Sequence, residues 1–289
     1  MKAITSRQNP LVAEFRSAAR QRNRDRQHLL LDGARLIDDA RAAGLVIDTA
    51  LLSAAALRTD DPAMKRLAHA LAASGADVFA ASESVLAAAS PVRSPSGAVA
   101  LATHRPHSPE QLMNDLRRGL VVGAVGVQDP GNVGAIIRAA DAGGARAVIV
   151  TGGSADPFGW RALRGAMGSS FRLPVTTIDD IKPLVEDVRA RGIPVVAAVP
   201  RGGTGMYEAD LTGPRLVLLG QEGAGLSQDV GATADVRISV PMRREVDSLN
   251  VAVAAALIIY EARRQSLRRR RGAKGSGRSS RRTVRRTTP

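Results

Sequence analysis

Residues 127–150 read VQDPGNVGAIIRAADAGGARAVIV, and this stretch sets the fold class. An apolar run, a turn, a helical pattern over 133–142 and a second apolar run make one β-turn-α-β unit. Buried strands joined by a helix predict an α/β fold with a mostly parallel sheet covered on both faces. Asn132 is the predicted N-cap of the helix, and Gly143 is its predicted left-handed C-cap. Arg138, the only cation in the helix, is expected with Asn132 at the carboxyl edge of the sheet, where such folds bind ligands.

Two common ligand sites of such a unit are excluded by the residues themselves. Gly126 and Gly131 have the spacing that starts a phosphate-binding P-loop, but Asn132 and Val133 stand where that motif needs Lys and Ser or Thr. Without the lysine, nothing reaches the outer phosphates of a nucleoside triphosphate. The Gly-x-Gly-x-x-Gly fingerprint of dinucleotide sites does not open this helix either. The ligand must therefore be held in another way.

The composition is typical of a soluble globular protein. The chain has 289 residues, enough for two modest domains, with 44% hydrophobic and 24% charged residues. It contains no cysteine, which excludes disulfides and cysteine nucleophiles, and its four histidines are scattered, so no metal site is predicted. No apolar run approaches the ~18 residues that a membrane span needs, and residues 1–10 lack an apolar signal region. We therefore expect a cytoplasmic protein with neither a membrane nor a metal partner.

The positive charge is concentrated in the C-terminal part of the chain. Twelve basic residues and no acidic one follow from Arg263 onward, so the net charge of +14 falls to about +2 for residues 1–262. Such a segment binds polyanions, RNA included, by releasing counterions. Aromatic residues make up only 2% of the chain, so base stacking is not expected to be its main means of reading RNA.

The remaining sequence divides at a polar, proline-rich stretch. Apolar strands and helical patterns alternate up to Ala102, which predicts a compact α/β unit without a catalytic cluster of its own. Its first 28 residues are helix-prone and basic, typical of either a solvated surface helix or an RNA-facing one. Residues 103–109 read THRPHSP and are the predicted linker. We therefore predict a smaller domain over 1–105, a larger one over 106–265 and a basic disordered tail over 266–289.

A second motif combines a buried strand with a glycine-rich turn. Residues 215–227 read RLVLLGQEGAGLS, with glycines at positions 220, 223 and 225. Glycines allow positive φ and let a ligand approach the backbone closely. An ordinary strand-to-helix turn accounts for one glycine but less readily for three around a glutamate. The pattern therefore favours a binding loop.

The third motif is a strand over 236–242, followed by a polar loop and an apolar helix that begins near residue 251. Ser248 is the predicted N-cap of this helix. Residues 251–259 are apolar on all sides, which predicts burial on every side. In a domain of this size, such burial favours a second subunit that covers one face, as in a homodimer.

The three motifs together, in this order, resemble those of the SpoU/TrmH family of RNA ribose 2'-O-methyltransferases in the SPOUT superfamily. The first family motif pairs an asparagine with an arginine six residues later, as Asn132 and Arg138 do. The second is a strand ending in Gly-x-Glu-Gly-x-Gly, and the third is an Ile/Val-Pro-Met strand followed by Ser-Leu-Asn-Val. The residues that match the second and third motifs are Gly220, Glu222, Gly223, Gly225, Pro241, Met242, Ser248, Leu249 and Asn250. Residues 1–102 are also similar to the family's N-terminal substrate-binding domain, which is similar to certain ribosomal proteins.

This resemblance implies a C-terminal α/β domain with a deep trefoil knot, an exception to the rule that chains are unknotted. It implies S-adenosylmethionine as the cofactor, bent in the knot and held mainly by backbone groups, and a homodimer as the active unit. The residues implied in cofactor binding are Leu218, Leu219, Gly220, Gly223, Ile238, Val240, Pro241, Met242, Ser248 and Leu249. Arg244 departs from the family, where many members have glycine, and leaves the shape of that loop open.

The implied reaction is in-line attack of a ribose 2'-oxygen of RNA on the sulfonium methyl group. The implied catalytic residues are Asn132, Arg138, Glu222, Ser248 and Asn250. An arginine guanidinium keeps its proton at neutral pH, so we expect Arg138 to grip the neighbouring phosphate and to stabilise the developing alkoxide. The phosphate, water and a transiently neutral Arg138 are the alternatives for removing the 2'-proton.

The N-terminal domain favours ribosomal RNA over transfer RNA as the substrate that the resemblance implies. Arg164, Arg263 and Arg264 are candidate RNA contacts, while Trp160 is predicted either to stack on a base or to lie in the core. Two other functions stay open: a non-catalytic RNA-binding or ribosome-assembly factor of the same fold, and base methylation, which other SPOUT branches perform. The intact set of motif residues favours the enzyme, and Ser-Leu-Asn with the first-motif arginine favours the ribose.

Overall fold

The computed structural model describes residues 1–21, 28–59, 61–103 and 107–279, with side chains as far as residue 271. Over these residues the chain forms one five-stranded and one seven-stranded sheet. The predicted boundary between residues 105 and 106 lies outside the described residues, so the domain limits stay predictions.

The five-stranded sheet is mixed and is built by the N-terminal part of the chain. Its strands are β1 (Lys2–Ile4), β2 (His28–Asp32), β3 (Ile47–Ser53), β4 (Asp77–Ala81) and β5 (Ala98–Thr103), in the order β1-β4-β3-β5-β2. Its helices are α1 (Pro10–Arg20), α2 (Ala34–Ala42), α3 (Ala54–Arg58), α4 (Pro62–Ala73) and α5 (Glu83–Ala89). Strand β5 runs antiparallel to β2 and β3, whereas β1 and β3 are parallel to β4. The sequence pattern misses β1, because three residues are too few to show a period.

The seven-stranded sheet confirms the prediction of a parallel α/β arrangement. Its strands are β6 (Leu120–Ala124), β7 (Ala147–Thr151), β8 (Val175–Ile178), β9 (Val195–Ala198), β10 (Thr204–Gly205), β11 (Arg215–Leu219) and β12 (Val236–Ser239). Its helices are α6 (Pro109–Arg118), α7 (Pro130–Gly143), α8 (Trp160–Ala166), α9 (Ser169–Arg172), α10 (Lys182–Ala190), α11 (Gln228–Ala232) and α12 (Val251–Ser279). The order is β10-β12-β9-β11-β6-β7-β8, and all these pairs are parallel.

Both faces of this larger sheet are buried, as the apolar strand sequences predict. Along β11, Leu216 and Leu218 belong to the apolar cluster on one face. Val217 and Leu219 belong to the cluster on the other face. The alternation shows that a strand without polar residues is covered by helices on both sides. The trefoil knot stays a prediction from the resemblance.

Both predicted caps of α7 are wrong. The N-cap is Asp129, whose Oδ1 accepts the backbone N–H of Asn132 at 2.9 Å, and Pro130 takes the first helical position, which its missing N–H suits. The C-cap is Gly144, which has a left-handed φ of 79°. Gly143 serves packing instead, because a Cβ there would lie 2.1 Å from Cγ2 of Ile259 in α12.

The start of α12 corrects a second cap. Asn250 Oδ1 accepts the backbone N–H groups of Ala252 at 3.0 Å and Val253 at 3.2 Å, so Asn250, not Ser248, caps the helix. The helix continues to Ser279, past the predicted start of a disordered tail at residue 266. Arg269 ties this part to the domain, because its Nη1 donates to Thr212 Oγ1 at 3.0 Å. Residues 280–289 lie outside the described residues.

The expectation that α12 is buried on every side is wrong for the single chain. Val251, Ala255 and Ile258 are buried, and the helix packs against α7. On the opposite side, however, Val253, Leu257 and Tyr260 are 49%, 38% and 51% exposed. The helix therefore presents an apolar face to its surroundings.

Helix α8 joins the two sheets. Trp160 packs against the apolar cluster of the smaller sheet, and the guanidinium carbon of Arg161 lies 4.9 Å from its ring centroid. Between the two suggested roles for this tryptophan, the structure therefore supports the one in the core. The buried carboxyl of Asp32, at the end of β2, accepts from Ser90 at 2.5 Å. Burial raises the pKa of Asp32, while the hydrogen bond and the charge of Arg164 oppose that rise.

Candidate functional site

A cleft opens at the carboxyl edge of the larger sheet, where β9, β11 and β12 end. The space between its walls is about 620 Å³, part of which is open to solvent. Its lining residues are Ala198, Val199, Pro200, Leu219, Gly220, Gln221, Glu222, Gly223, Gly225, Ile238, Val240, Met242, Ser248, Leu249, Val251, Ala254 and Ile258. Most of them are apolar or glycine. The cleft therefore suits a ligand with a large apolar part and a few polar groups.

The glycine turn after β11 forms one wall of the cleft. Gln221 and Gly225 exchange two backbone hydrogen bonds of 3.2 and 3.0 Å, which close a tight turn. A Cβ at Gly220 would lie 2.1 Å from the carbonyl carbon of Gly225, so the turn requires glycine there. Gly223 has a φ of +82°, and apart from its chain neighbours no atom of the described residues lies within 4 Å of its Cβ position. The turn is thus packed on its own side and open towards the cleft.

A hydrogen-bonded cluster connects the three sequence motifs at the rim of this cleft. Asn132 Nδ2 donates to Oε1 of Glu222, which also lines the cleft. Asn250 Nδ2 donates to Asn132 Oδ1 at 3.0 Å, while its own Oδ1 caps α12. Both ends of the Asn132 amide are therefore used, and its orientation is fixed by one acceptor and one donor. Helix α7, the glycine turn and helix α12 meet at this point.

The structure brings most of the predicted cofactor-binding residues to the cleft. Eight of the ten residues line it: Leu219, Gly220, Gly223, Ile238, Val240, Met242, Ser248 and Leu249. Leu218 does not, because successive strand residues point to opposite faces and Leu218 packs in the cluster on the other side. Pro241 does not line the cleft either, and it is exposed.

Sequence reasoning misses two parts of the lining. The first part, residues 198–200, lies at the end of β9. The sequence marks it only as the end of a predicted parallel strand. Val251, Ala254 and Ile258 come from the first turns of α12. Their apolar pattern indicates burial, but it cannot tell a core position from a ligand wall.

Arg138 is not brought to the cleft in the single chain. It follows Asn132 by six residues, which on a helix is about 9 Å along the axis and 120° around it. Its side chain is exposed, and it makes no hydrogen bond or ion pair with any side chain that the structure describes. That Arg138 faces the carboxyl edge together with Asn132 therefore stays a prediction. The six-residue spacing reads as one motif but does not place two side chains on one helix face.

The three candidate RNA contacts have different surroundings. Arg164 is exposed, and its charge opposes the rise that burial causes in the pKa of Asp32. Arg263 Nη1 donates to the carbonyl of Ala142 at 3.1 Å, at the end of α7. Arg264 forms a bidentate pair with Glu261, at 2.7 and 2.6 Å, and this hydrogen bonding lowers the pKa of Glu261. Arg264 is therefore largely committed within its own helix.

The loop that carries Arg244 is held by another arginine. Arg201 Nη2 donates to the carbonyls of Arg244 and Val246, at 2.8 Å each. The side chain of Arg244 itself is exposed. Replacement of the family's usual glycine thus leaves a loop that is tied to the segment after β9.

The described residues show neither a metal-binding cluster nor a helix that could span a membrane. Among the described residues, no group of three or more His, Asp or Glu side chains could hold a metal ion. Within those residues, too, none of the helices combines the length and the apolar character that crossing a bilayer demands.

The chain is similar in sequence to known RNA methyltransferases. Residues 119–260 match the model of the SpoU rRNA methylase family, and residues 9–100 match an MRM3-like substrate binding domain. An uncharacterised tRNA/rRNA methyltransferase of Synechocystis is 34% identical over 91% of this chain and 94% of its own length. A 23S rRNA guanosine 2'-O-methyltransferase of Bacillus subtilis is 29% identical over 91% of this chain and all of its own length.

Solved structures give the same likeness. An rRNA methyltransferase from Sinorhizobium meliloti with bound S-adenosylmethionine superposes with a TM-score of 0.79 at 30% identity, over 91% of this chain and 97% of its own. A SpoU methyltransferase from Streptomyces viridochromogenes, in complex with the same cofactor, has a TM-score of 0.76 at 29% identity, over 89% and 98%. Both likenesses extend over the two sheets.

Proposed function

The chain belongs to the SpoU rRNA methylase family, and from this premise we propose that it transfers a methyl group from S-adenosylmethionine to a ribose 2'-hydroxyl of ribosomal RNA. The observation that carries the proposal is the cluster of Asn132, Glu222 and Asn250 at the rim of a glycine-walled cleft. Since rRNA-modifying enzymes work where ribosomal RNA is assembled, the proposed location is the cytoplasm.

The residues of the cleft fit S-adenosylmethionine. Gly223 and Gly225 leave open space where a Cβ would stand, so the wall presents backbone groups to a ligand. Leu249, Val251 and Ile258 offer apolar surface. When bound, the cofactor supplies an electrophilic methyl group on a sulfonium that leaves readily.

The polar cluster is proposed to position the RNA sugar. Asn250 and Asn132 hold each other, and Glu222 accepts from the Asn132 amide, so the three side chains form a fixed polar rim. A ribose that binds against this rim has its 2'-oxygen beside the cleft opening. Alignment of two reactants is worth about 7–11 kcal/mol of the barrier. Ser248, in the cleft wall, lies between the cofactor residues and this rim in the sequence and is assigned to the same task.

Arg138 is proposed to act only once RNA is present. Its exposed guanidinium has no described partner, so it is free to turn towards a phosphate of RNA bound over α7. A charge-assisted hydrogen bond to that phosphate would place positive charge beside the developing alkoxide. The residue thus supplies electrostatic stabilisation and remains protonated.

The N-terminal region, residues 1–105 by the predicted limits, is proposed to bind the RNA substrate. The larger domain, 106–265, is proposed to hold the cofactor, and the basic segment from 266 to add affinity. Arg164 and Arg263 remain proposed RNA contacts, whereas Arg264 would first have to leave Glu261. Trp160 fixes the two sheets to each other, so recognition and transfer would take place on a connected surface.

A methylation assay tests this function. Transcribed 23S rRNA is incubated with the protein and methyl-labelled S-adenosylmethionine, then digested with a nuclease that needs a free 2'-hydroxyl. Label in nuclease-resistant dinucleotides is the expected result, because a 2'-methyl group blocks cleavage. Label on a base would identify a base methyltransferase. Transfer to tRNA alone would redirect the substrate. If calorimetry shows no heat with the cofactor, the protein is a scaffold.

We also propose that the active unit is a homodimer formed through α12. The exposed residues Val253, Leu257 and Tyr260 follow one another at intervals of four and three, the spacing of a helix seam. Such a stripe, exposed in the single chain, fits a second copy of the same helix.

Sedimentation velocity tests the dimer. The native protein is expected to sediment as a dimer, and Leu257→Glu, which buries a charge in the seam, as a monomer. Arg58→Glu, a charge change at an exposed residue of the smaller domain, serves as the control. A native monomer at all concentrations would contradict the proposal.

A further inference from the structure

A groove at the amino edge of the larger sheet, opposite the cleft, is lined by arginines. They are Arg118, Arg146, Arg263, Arg269 and Arg270. The floor is made by apolar side chains and by glycines that precede β6, β7 and β11. No carboxylate is found among the described residues that line it. The groove therefore collects five positive charges without a counterion of its own.

These charges come from segments that are distant in the sequence. Arg118 ends α6, Arg146 precedes β7, and the other three lie on α12. Two are tied down, since Arg263 donates to Ala142 and Arg269 to Thr212. Arg118, Arg146 and Arg270 make no side-chain hydrogen bond or ion pair with the described residues. Three guanidinium groups are thus free to bind a ligand.

A purely structural role explains only part of this set. Helix C-termini favour nearby cations, and Arg118 lies in the last turn of α6 while Arg263 bonds the last turn of α7. That role does not reach Arg146 or Arg270. The carboxylates close by are already engaged: Glu261 pairs with Arg264, and Asp210 accepts from Thr212. The hydrogen bonds from Thr212, together with the charges of Arg215 and Arg269, lower the pKa of Asp210.

The number and the type of the cations indicate the ligand class. The groove is open to solvent, and the space between its walls is about 1350 Å³. Its cations are all arginines, whose planar guanidinium matches phosphate in two hydrogen bonds. A single phosphate cannot satisfy five cations, but a nucleic acid backbone carries one charge per nucleotide, about every 3.4 Å along a strand.

We infer that this groove binds the phosphodiester backbone of the RNA substrate, at a place separate from the methyl-transfer site. The inference rests on the proposed function for the identity of the polyanion. Strand β11 has five residues and separates the two edges by about 16 Å. An RNA that contacts both edges therefore spans at least about five nucleotide steps of 3.4 Å. The groove would hold the RNA beside the reacting nucleotide and continue along the basic side of α12.

The three free arginines give a clean test. The variant Arg118→Gln/Arg146→Gln/Arg270→Gln removes three charges without breaking a described hydrogen bond. Binding of the native and variant dimers to an unstructured RNA oligonucleotide is measured over a range of salt concentrations. The slope of log K against log salt is expected to fall by about 2, at ~0.7 per phosphate contact for single strands. An unchanged slope would overturn the inference.

Two further measurements separate other outcomes. The matched variant Arg118→Lys/Arg146→Lys/Arg270→Lys keeps the charge, so its salt slope should stay native while affinity falls through loss of paired hydrogen bonds. Vesicles of phosphatidylserine and phosphatidylcholine serve as a second probe. If the glutamine variant loses vesicle binding but keeps the native RNA slope, the groove is a membrane site and the inference fails. If the salt slope of the glutamine variant is native and the protein still methylates RNA, only the inference about the groove fails. If the native protein transfers no methyl group to RNA, the proposed function fails.

Discussion

The two edges of the larger sheet share the same strands but have opposite chemistry. At the carboxyl edge the chain offers an apolar cleft, a glycine turn and three neutral or acidic side chains in one cluster. At the amino edge it offers five arginines around a wider groove. Because all strands are parallel, every strand end of one kind comes to the same edge, so the two chemistries stay apart.

In the proposed roles, one edge of the sheet binds the RNA backbone and the other aligns the reacting atoms. The cluster of Asn132, Glu222 and Asn250 is held by hydrogen bonds between its own side chains, which suits a site that must align atoms. Arg118, Arg146 and Arg270 have no described partner, which suits a surface that follows a flexible backbone. Variants at the carboxyl edge should therefore change turnover without changing the salt dependence of RNA binding.

The largest effect is expected for Gly220→Ala. The added methyl group would meet the backbone of the turn at 2.1 Å, so the turn must move and the cleft wall with it. A displacement of about 1 Å can lower turnover 10²-fold, and cofactor affinity should fall too. Calorimetry and the methylation assay measure both. Gly231→Ala, on α11, meets no atom within 4 Å and is the control. Native cofactor binding by Gly220→Ala would mean that the turn does not shape the site.

Arg138→Ala should separate binding from transfer. We expect turnover to fall about 10²–10³-fold, the loss seen when a charge-stabilising donor is removed, with cofactor affinity unchanged. Single-turnover methylation at saturating RNA measures the first quantity, and calorimetry measures the second. Arg58→Ala, another exposed arginine without a described partner, is the control. Near-native turnover in the Arg138 variant would show that this residue has no part in the mechanism. The catalytic site would then consist of the cluster of Asn132, Glu222 and Asn250.

A smaller effect is expected for Asn132→Asp, which changes one atom group in the cluster. The new carboxylate faces Glu222, so a donor is replaced by a like charge. Loss of a hydrogen bond to a charged group, worth about 1.5–3 kcal/mol, predicts a 10–100-fold fall in turnover. Because one carboxylate of such a pair takes up a proton more readily, turnover relative to native should recover as the pH falls.

The double variant Asn132→Asp/Glu222→Gln is the matched control for the cluster. It restores one donor and one acceptor across the same contact, so part of the lost turnover should return. A double variant that is no better than Asn132→Asp would show that Glu222 acts elsewhere. The salt slope of RNA binding should be native in both, which keeps the two edges distinct.

Much of the fold is readable from the sequence because it depends on local patterns. The run from 120 to 151 already shows strand, turn, helix and strand, and their apolar composition shows that both sheet faces are covered. The glycines of the 220–225 turn are readable for the same reason, since a tight turn restricts residue types directly. Helix ends are less readable. Asp129 and Asn132 are both good caps, and only the hydrogen bond decides between them.

Local sequence patterns predict the parallel sheet, the glycine turn and the three motifs. The hydrophobic period, the stiffness of the backbone and the residue types act over a few neighbouring residues. Three features emerge only in the folded chain. Asn250 meets Asn132 across 118 positions, and arginines of α6 and α12 share a groove. Arg138 lies outside the cleft in the single chain. Such contacts depend on how helices pack on the sheet, and no local pattern records which distant side chains that packing brings within a few ångströms.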